Sequence, residues 1–147
     1  AKHDLINNRE YEFKMQGLLD YKNIALQIYR FHEPDIHLYE GVRDMLERMR
    51  KSGRKIGIIT DGRPEGQRAK LKALGIAVDH VIITDELGGV MYRKPNTKAF
   101  ERMKQMMDLE YSQMVYVGDN LNKDFIAPDK LGMKSVLFRN KHGLYYK

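Results

Sequence analysis

The chain has no cysteine among its 147 residues. That excludes disulfides and thiolate metal sites, and it fits a reducing, cytoplasmic setting. No stretch approaches the roughly 18 apolar residues of a membrane span, and the charged, polar opening is unlike a signal peptide. Membrane association is therefore not expected. Charge of one sign is also not concentrated anywhere. Lys and Arg number 26 against 20 Asp and Glu, a formal charge of +6, but no aromatic-studded basic patch forms, so no nucleic-acid partner is expected. The cations run along helical stretches, Arg43, Arg48, Arg50 and Lys51, then Arg68, Lys70 and Lys72. They read as solvated helix faces that help draw in phosphorylated molecules. What remains is enough chain for one domain with a sizeable core, without internal repeats or low-complexity linkers.

Hydrophobic periodicity orders that domain. From Tyr11 to Phe31 the pattern is helical, with Ile24, Ile28 and Phe31 on one face. His32-Glu33-Pro34 breaks it. Val42, Met45, Leu46 and Met49 make the stripe of an amphipathic helix that Ser52-Gly53 ends. A strand at Lys55 to Thr60 precedes a helix from Pro64 to Leu74, with Gly75 as its C-terminal cap. Strands are expected at Val81 to Thr84, Met114 to Val117 and Ser135 to Phe138. Between the first two of these lie a loop from Leu87 to Tyr92 and a helix after Asn96 striped by Phe100, Met103 and Met107. The nine methionines read as core filler. Alternation of helices with near-continuous apolar strands predicts an α/β fold, a Rossmann-like parallel sheet with helices on both faces.

Three segments carry chemistry. VYVGDNLNKD, Val115 to Asp124, runs an apolar strand into Gly118 and delivers Asp119 and Asp124 beyond the strand's carboxyl end. Magnesium prefers hard oxygen ligands and takes one or two protein carboxylates, so this pair suits it. The plainer reading is an Asp-Asn turn capping the next helix. IGIITDG, Ile56 to Gly62, ends a second strand on Thr60, whose hydroxyl suits an anion, and Asp61-Gly62 beside it is either a loop turn or a substrate contact. RKPN, Arg93 to Asn96, sets Lys94 before Pro95 and an Asn96 helix cap. Lys94 is either a solvated lysine or a fixed charge that holds a phosphoryl oxygen and neutralises nearby carboxylates. Ligands of such sheets bind beyond the carboxyl ends of the strands, and Thr60, Lys94 and Asp119 all emerge at that edge. His32, His37 and His80 lack partners at ligand spacing and read as structural or exposed. Tyr145 and Tyr146 read as a frayed terminus.

In this order the three segments resemble the second, third and fourth motifs of the haloacid dehalogenase superfamily, a group of mostly magnesium-dependent phosphohydrolases. LYEGVRDMLERMRKSGRKIGIITDG, from Leu38, and GQRAKLKALGI, from Gly66, resemble the family's entry into its core domain and the helix after its second motif. The resemblance implies a helical cap segment over residues 1–37 and a core domain over 38–147. It further implies that Thr60 and Lys94 are catalytic, that Thr60, Asp61, Gly62 and Lys94 bind substrate, and that Asp119 and Asp124 hold Mg2+, with Asp119 the more direct ligand. Asn120 would orient Asp119 or the metal's waters. The implied activity is hydrolysis of a small phosphate monoester through an aspartyl-phosphate.

The family also opens with an apolar strand ending in Asp-x-Asp, whose first acid is the nucleophile. This chain has no Asp-x-Asp, and His3-Asp4-Leu5 and Pro34-Asp35-Ile36, the nearest candidates, follow no apolar strand. The sequence thus reads as a longer protein without its beginning, and the chain alone is expected to be inactive. In the family's sheet the absent strand lies between those carrying Thr60 and Asp119. Its loss leaves two edges to be completed by the missing segment or by a second copy of the chain. Two other readings are a regulatory module of a larger biosynthetic enzyme, such as an ATP-grasp ligase, and a receiver-like signalling domain. The receiver is disfavoured because its acids belong at the start of the chain.

Overall fold

The computed structural model describes residues 2–139, with side chains from residue 14 onward; Tyr145 and Tyr146 lie outside the described residues. The chain divides into two compact units, Ala1–Pro34 and Asp35–Lys147.

The first unit is one helix, α1, Lys2–Phe31. It starts well before the expected Tyr11, because no proline and only Gly17 interrupt good helix formers. It stops where Pro34 forbids continuation. Ile24, Ile28 and Phe31, expected on one face, are 58%, 66% and 67% exposed.

The second unit alternates strand and helix. Helix α2, Val42–Lys51, is followed by β1, Gly57–Thr60, and α3, Pro64–Leu74. Proline opens α3 and Gly75 closes it in the left-handed conformation, as the sequence indicated. Strand β2, His80–Ile83, gives way to two 3-10 turns, Thr84–Leu87 and Val90–Tyr92. Helix α4, Lys98–Met107, begins just after Asn96, whose Oδ1 accepts the Lys98 N–H at 2.8 Å. Strand β3, Val115–Gly118, a short α5, Ile126–Leu131, and β4, Lys134–Leu137, complete the unit. Each strand lies within a residue or two of its expected span. Helix α5 was expected only as the helix following an Asp-Asn turn, without a range.

The strands form two parallel pairs, β1 with β2 and β3 with β4. The fold is α/β and Rossmann-like. Its core gathers Ile82 from β2, Ala99, Phe100, Met103 and Met107 from α4, and Met114, Ala127 and Met133 from the β3–β4 half. Helix α4 is thus the shared wall of both pairs, and Phe100, fully buried, meets the Tyr116 ring edge-on at 5.0 Å between centroids. Gly57 is needed there, since a Cβ would stand 2.5 Å from Met107 Cε and 2.6 Å from Met103 Sδ. Methionine serves the core unevenly. Met103, Met107, Met114 and Met133 are buried, whereas Met91 is 71% exposed. On β3 the alternate residues Val115 and Val117 are each 57% exposed.

The basic residues do more than solvate helix faces. Arg43 donates to the Leu74 and Gly75 carbonyls at 3.2 Å, and Arg50 to that of Ala77, so α2 caps the end of α3. Arg68 pairs with Glu86. Among the described residues no helix is long and apolar enough to cross a membrane.

Candidate active site

Parallel pairing brings the ends of β1 and β2 to one rim, where Asp61 follows Thr60 and Thr84 follows Ile83. The same geometry puts Asp119 beyond the end of β3. The two rims are tied into one by polar contacts. Asp61 Oδ1 accepts the Lys94 main-chain N–H and the Thr84 hydroxyl, each at 3.1 Å, and Asp61 Oδ2 accepts from Lys123 Nζ at 2.7 Å. Lys94 Nζ in turn donates to the Tyr116 hydroxyl at 2.9 Å and stands 3.0 Å from Asp124 Oδ1. Residues far apart in sequence thus converge at the carboxyl edge.

Lys94 is not a solvated lysine, for its side chain is 10% exposed. Burial works against its charge, but Tyr116 and the Asp124 carboxylate more than offset this, and Lys94 titrates above the ordinary lysine value. The Tyr116 phenol is pushed up, chiefly by burial, although the ammonium beside it pulls the other way. Burial also pushes the Asp61 carboxyl up. The Lys123 hydrogen bond, the Lys94 amide and the two ammonium charges outweigh that effect and hold it below the usual carboxylate value.

Asp124 is 3% exposed. Its Oδ2 accepts the N–H groups of Asp119 and Asn120 at 3.2 and 3.0 Å, which fixes the turn after Gly118. Gly118 permits this approach, because a Cβ would come within 2.7 Å of Asp124 Oδ2. Asp124 Oδ1 is buried without a hydrogen bond, since Lys94 meets it as an ion pair outside hydrogen-bonding geometry. Asn120, 6% exposed, accepts the Asn122 N–H through its side chain.

Among the described residues no three His, Cys, Asp or Glu side chains converge as a metal-binding group. A magnesium site needs only one or two carboxylates, with water and substrate oxygens completing the shell. The half-buried Asp119 at the rim and Asp124 Oδ1, which meets the Lys94 ammonium only as an ion pair, supply oxygens of that kind, so the residues present fit such an ion.

Thr60 reaches the rim with its hydroxyl committed to Gln67 Oε1 at 2.8 Å. Gly62 has φ 134°, and a Cβ there would lie 2.6 Å from Gln67 Nε2. Four neighbours escaped the sequence reading: Gln67, Thr84, Tyr116 and Lys123. Lys123 adjoins Asp124 and was findable as a second cation in the NKD run. Gln67, Thr84 and Tyr116 look locally like ordinary helix and strand residues, and only tertiary packing brings them in. Among the described residues, His32 and His37 meet local partners, the Tyr29 carbonyl and the exposed Asp35.

The family model of haloacid dehalogenase-like hydrolases matches residues 6–138. The glyceraldehyde 3-phosphate phosphatase of Pyrococcus abyssi is 38% identical over 101 residues, 67% of this chain and 41% of that protein. The same enzyme of Pyrococcus furiosus is 36% identical over 107 residues, 71% of this chain and 42% of that protein. Among solved structures, a HAD phosphatase from Thermococcus onnurineus is similar with a TM-score of 0.63 at 33% identity, over 74% of this chain and 50% of that one. The chain spans less than half the length of these two curated relatives.

Proposed function

The chain belongs to the haloacid dehalogenase-like hydrolases, and from that membership we propose that it is the phosphate-handling core of a magnesium-dependent, cytoplasmic phosphatase of small phosphorylated substrates. The observation that carries this reading is the contact chain from Asp61 through Lys94 to Asp124, which puts a buried ammonium at the rim where an anion would sit. The relatives named glyceraldehyde 3-phosphate phosphatase support a small phosphate ester as substrate.

Each group then has a task. Lys94, pinned between Tyr116 and Asp124, gives a fixed positive charge to a phosphoryl oxygen. The Thr60 hydroxyl exchanges Gln67 for a second phosphoryl oxygen. Asp119 and Asp124 would hold the magnesium, which when bound would screen the phosphoryl charge. These 147 residues hold no Asp-x-Asp, so this reading needs a nucleophilic carboxylate supplied by an Asp-x-Asp strand placed beside β1 and β3. A second copy of the chain could restore the sheet but not the nucleophile, because it lacks the same motif.

The test is phosphate release from a panel of esters, glyceraldehyde 3-phosphate included, by the chain joined to an Asp-x-Asp strand. Activity is expected only with magnesium. Asp119→Ala and Lys94→Ala should each lower kcat by about a hundredfold or more. Undiminished turnover in the Asp119→Ala protein rejects the metal assignment.

A further inference from the structure

Asp61 stands beside the expected phosphate site, yet its chemistry there is wrong for a ligand contact. A carboxylate repels a phosphate, and both of its oxygens are occupied: Oδ1 by the Lys94 N–H and the Thr84 hydroxyl, Oδ2 by the Lys123 ammonium. Its side chain is 9% exposed and its carboxyl is held ionised, with a value below the usual range. The three donors come from three separate segments, the end of β2, the loop before α4 and the loop after β3.

We propose that the Asp61 side chain is a positioning group that acts through Lys94 and Lys123 and does not itself touch the substrate. Lys94 is secured at two points, its main chain by Asp61 and its ammonium by Tyr116 and Asp124. Loss of the first point lets the backbone of the loop drift, and with it the ammonium that meets the anion. Lys123, 33% exposed in its side chain, is the more accessible cation, and the charge of Asp61 keeps it parked at the rim. The carboxylate therefore has two separable roles. As a hydrogen-bond acceptor it sets Lys94, and as a charge it restrains Lys123.

This inference rests on the phosphoryl-site reading, and two substitutions separate its parts. Asp61→Asn keeps an acceptor for the Lys94 N–H and the Thr84 hydroxyl but releases Lys123. Asp61→Ala removes both. The probe is inorganic phosphate, titrated at constant ionic strength into the 15N-labelled chain and read at the Thr60 and Lys94 amides, with melting temperatures recorded alongside. Simple electrostatics requires both variants to bind phosphate more tightly, since each removes a like charge. Positioning requires them to split: Asp61→Ala is expected to weaken binding about fivefold or more, and Asp61→Asn to bind as tightly as the parent or a few-fold tighter. Tightening in both, equal weakening in both, or no change in either overturns the proposal.

Should the alanine variant fail to fold, Thr84→Val takes its place. It deletes one donor to Asp61 at a fully buried position. Weaker phosphate binding then supports the clamp, and unchanged binding overturns it. A parent chain that does not respond to phosphate, or a Lys94→Ala variant that binds it as the parent does, rejects the phosphoryl site itself and the clamp with it.

Discussion

Asp85 and Arg93 form the best-aligned ion pair of the site's border, with Arg93 Nε and one terminal nitrogen on the two carboxylate oxygens at 2.7 and 2.6 Å. The guanidinium holds the Asp85 carboxyl below its ordinary value, and burial opposes this only in part. A depressed carboxylate stabilises the fold above its unfolded value and loses that contribution as pH falls through the folded one. The parent chain should therefore exceed Asp85→Asn in urea midpoint by a constant margin above about pH 5, and the margin should close below about pH 4. A margin independent of pH down to acid rejects an ionic origin. At this scale the sequence showed charge and hydroxyl donors well but their partners poorly. Thr60, Lys94, Asp119 and Asp124 stand out because strand, glycine and proline punctuation frame them. Asp61 was legible only as a turn or a substrate contact, since its three donors come from segments 23 to 62 residues away.

Helix α4 shows how an element's sequence decides its place. Phe100, Met103 and Met107 recur at helical spacing and all are buried, with Ala99 beside them, so the stripe seen in the sequence is part of the face that packs. Phe100→Ala should cost about 3–5 kcal/mol in chemical denaturation, because the ring is fully buried in the core that the two strand pairs share. A loss under about 1 kcal/mol would mean that the pairs do not depend on α4. Strong punctuation made α3 readable to its last residue. The range of helix α5 escaped because it has only 6 residues and contains Pro128, which breaks the usual signal. On α1 the pattern put Ile24, Ile28 and Phe31 on one face, and a pattern states only that a face can pack.

Across the whole molecule the pattern of strands was legible and their assembly was not. Order within a sheet is set by contacts distant in sequence, so it entered through family resemblance rather than through local pattern. Among the described residues, β1 and β3 each hydrogen-bond a single neighbouring strand. Open edges of this kind template further pairing. Sedimentation of the 147-residue chain should accordingly reveal self-association, and addition of an Asp-x-Asp strand peptide should reduce it. A sharp monomer without such a peptide would contradict the open-edge reading. The two halves share a wall, α4, and a handful of polar links at the rim, where Lys94 and Lys123 reach from one bank to the other. Under the proposed function those links are also where a guest would bind, which would join cohesion and occupancy thermodynamically. A phosphate that settles between the halves acts as mortar, and its arrival should register as resistance to heat.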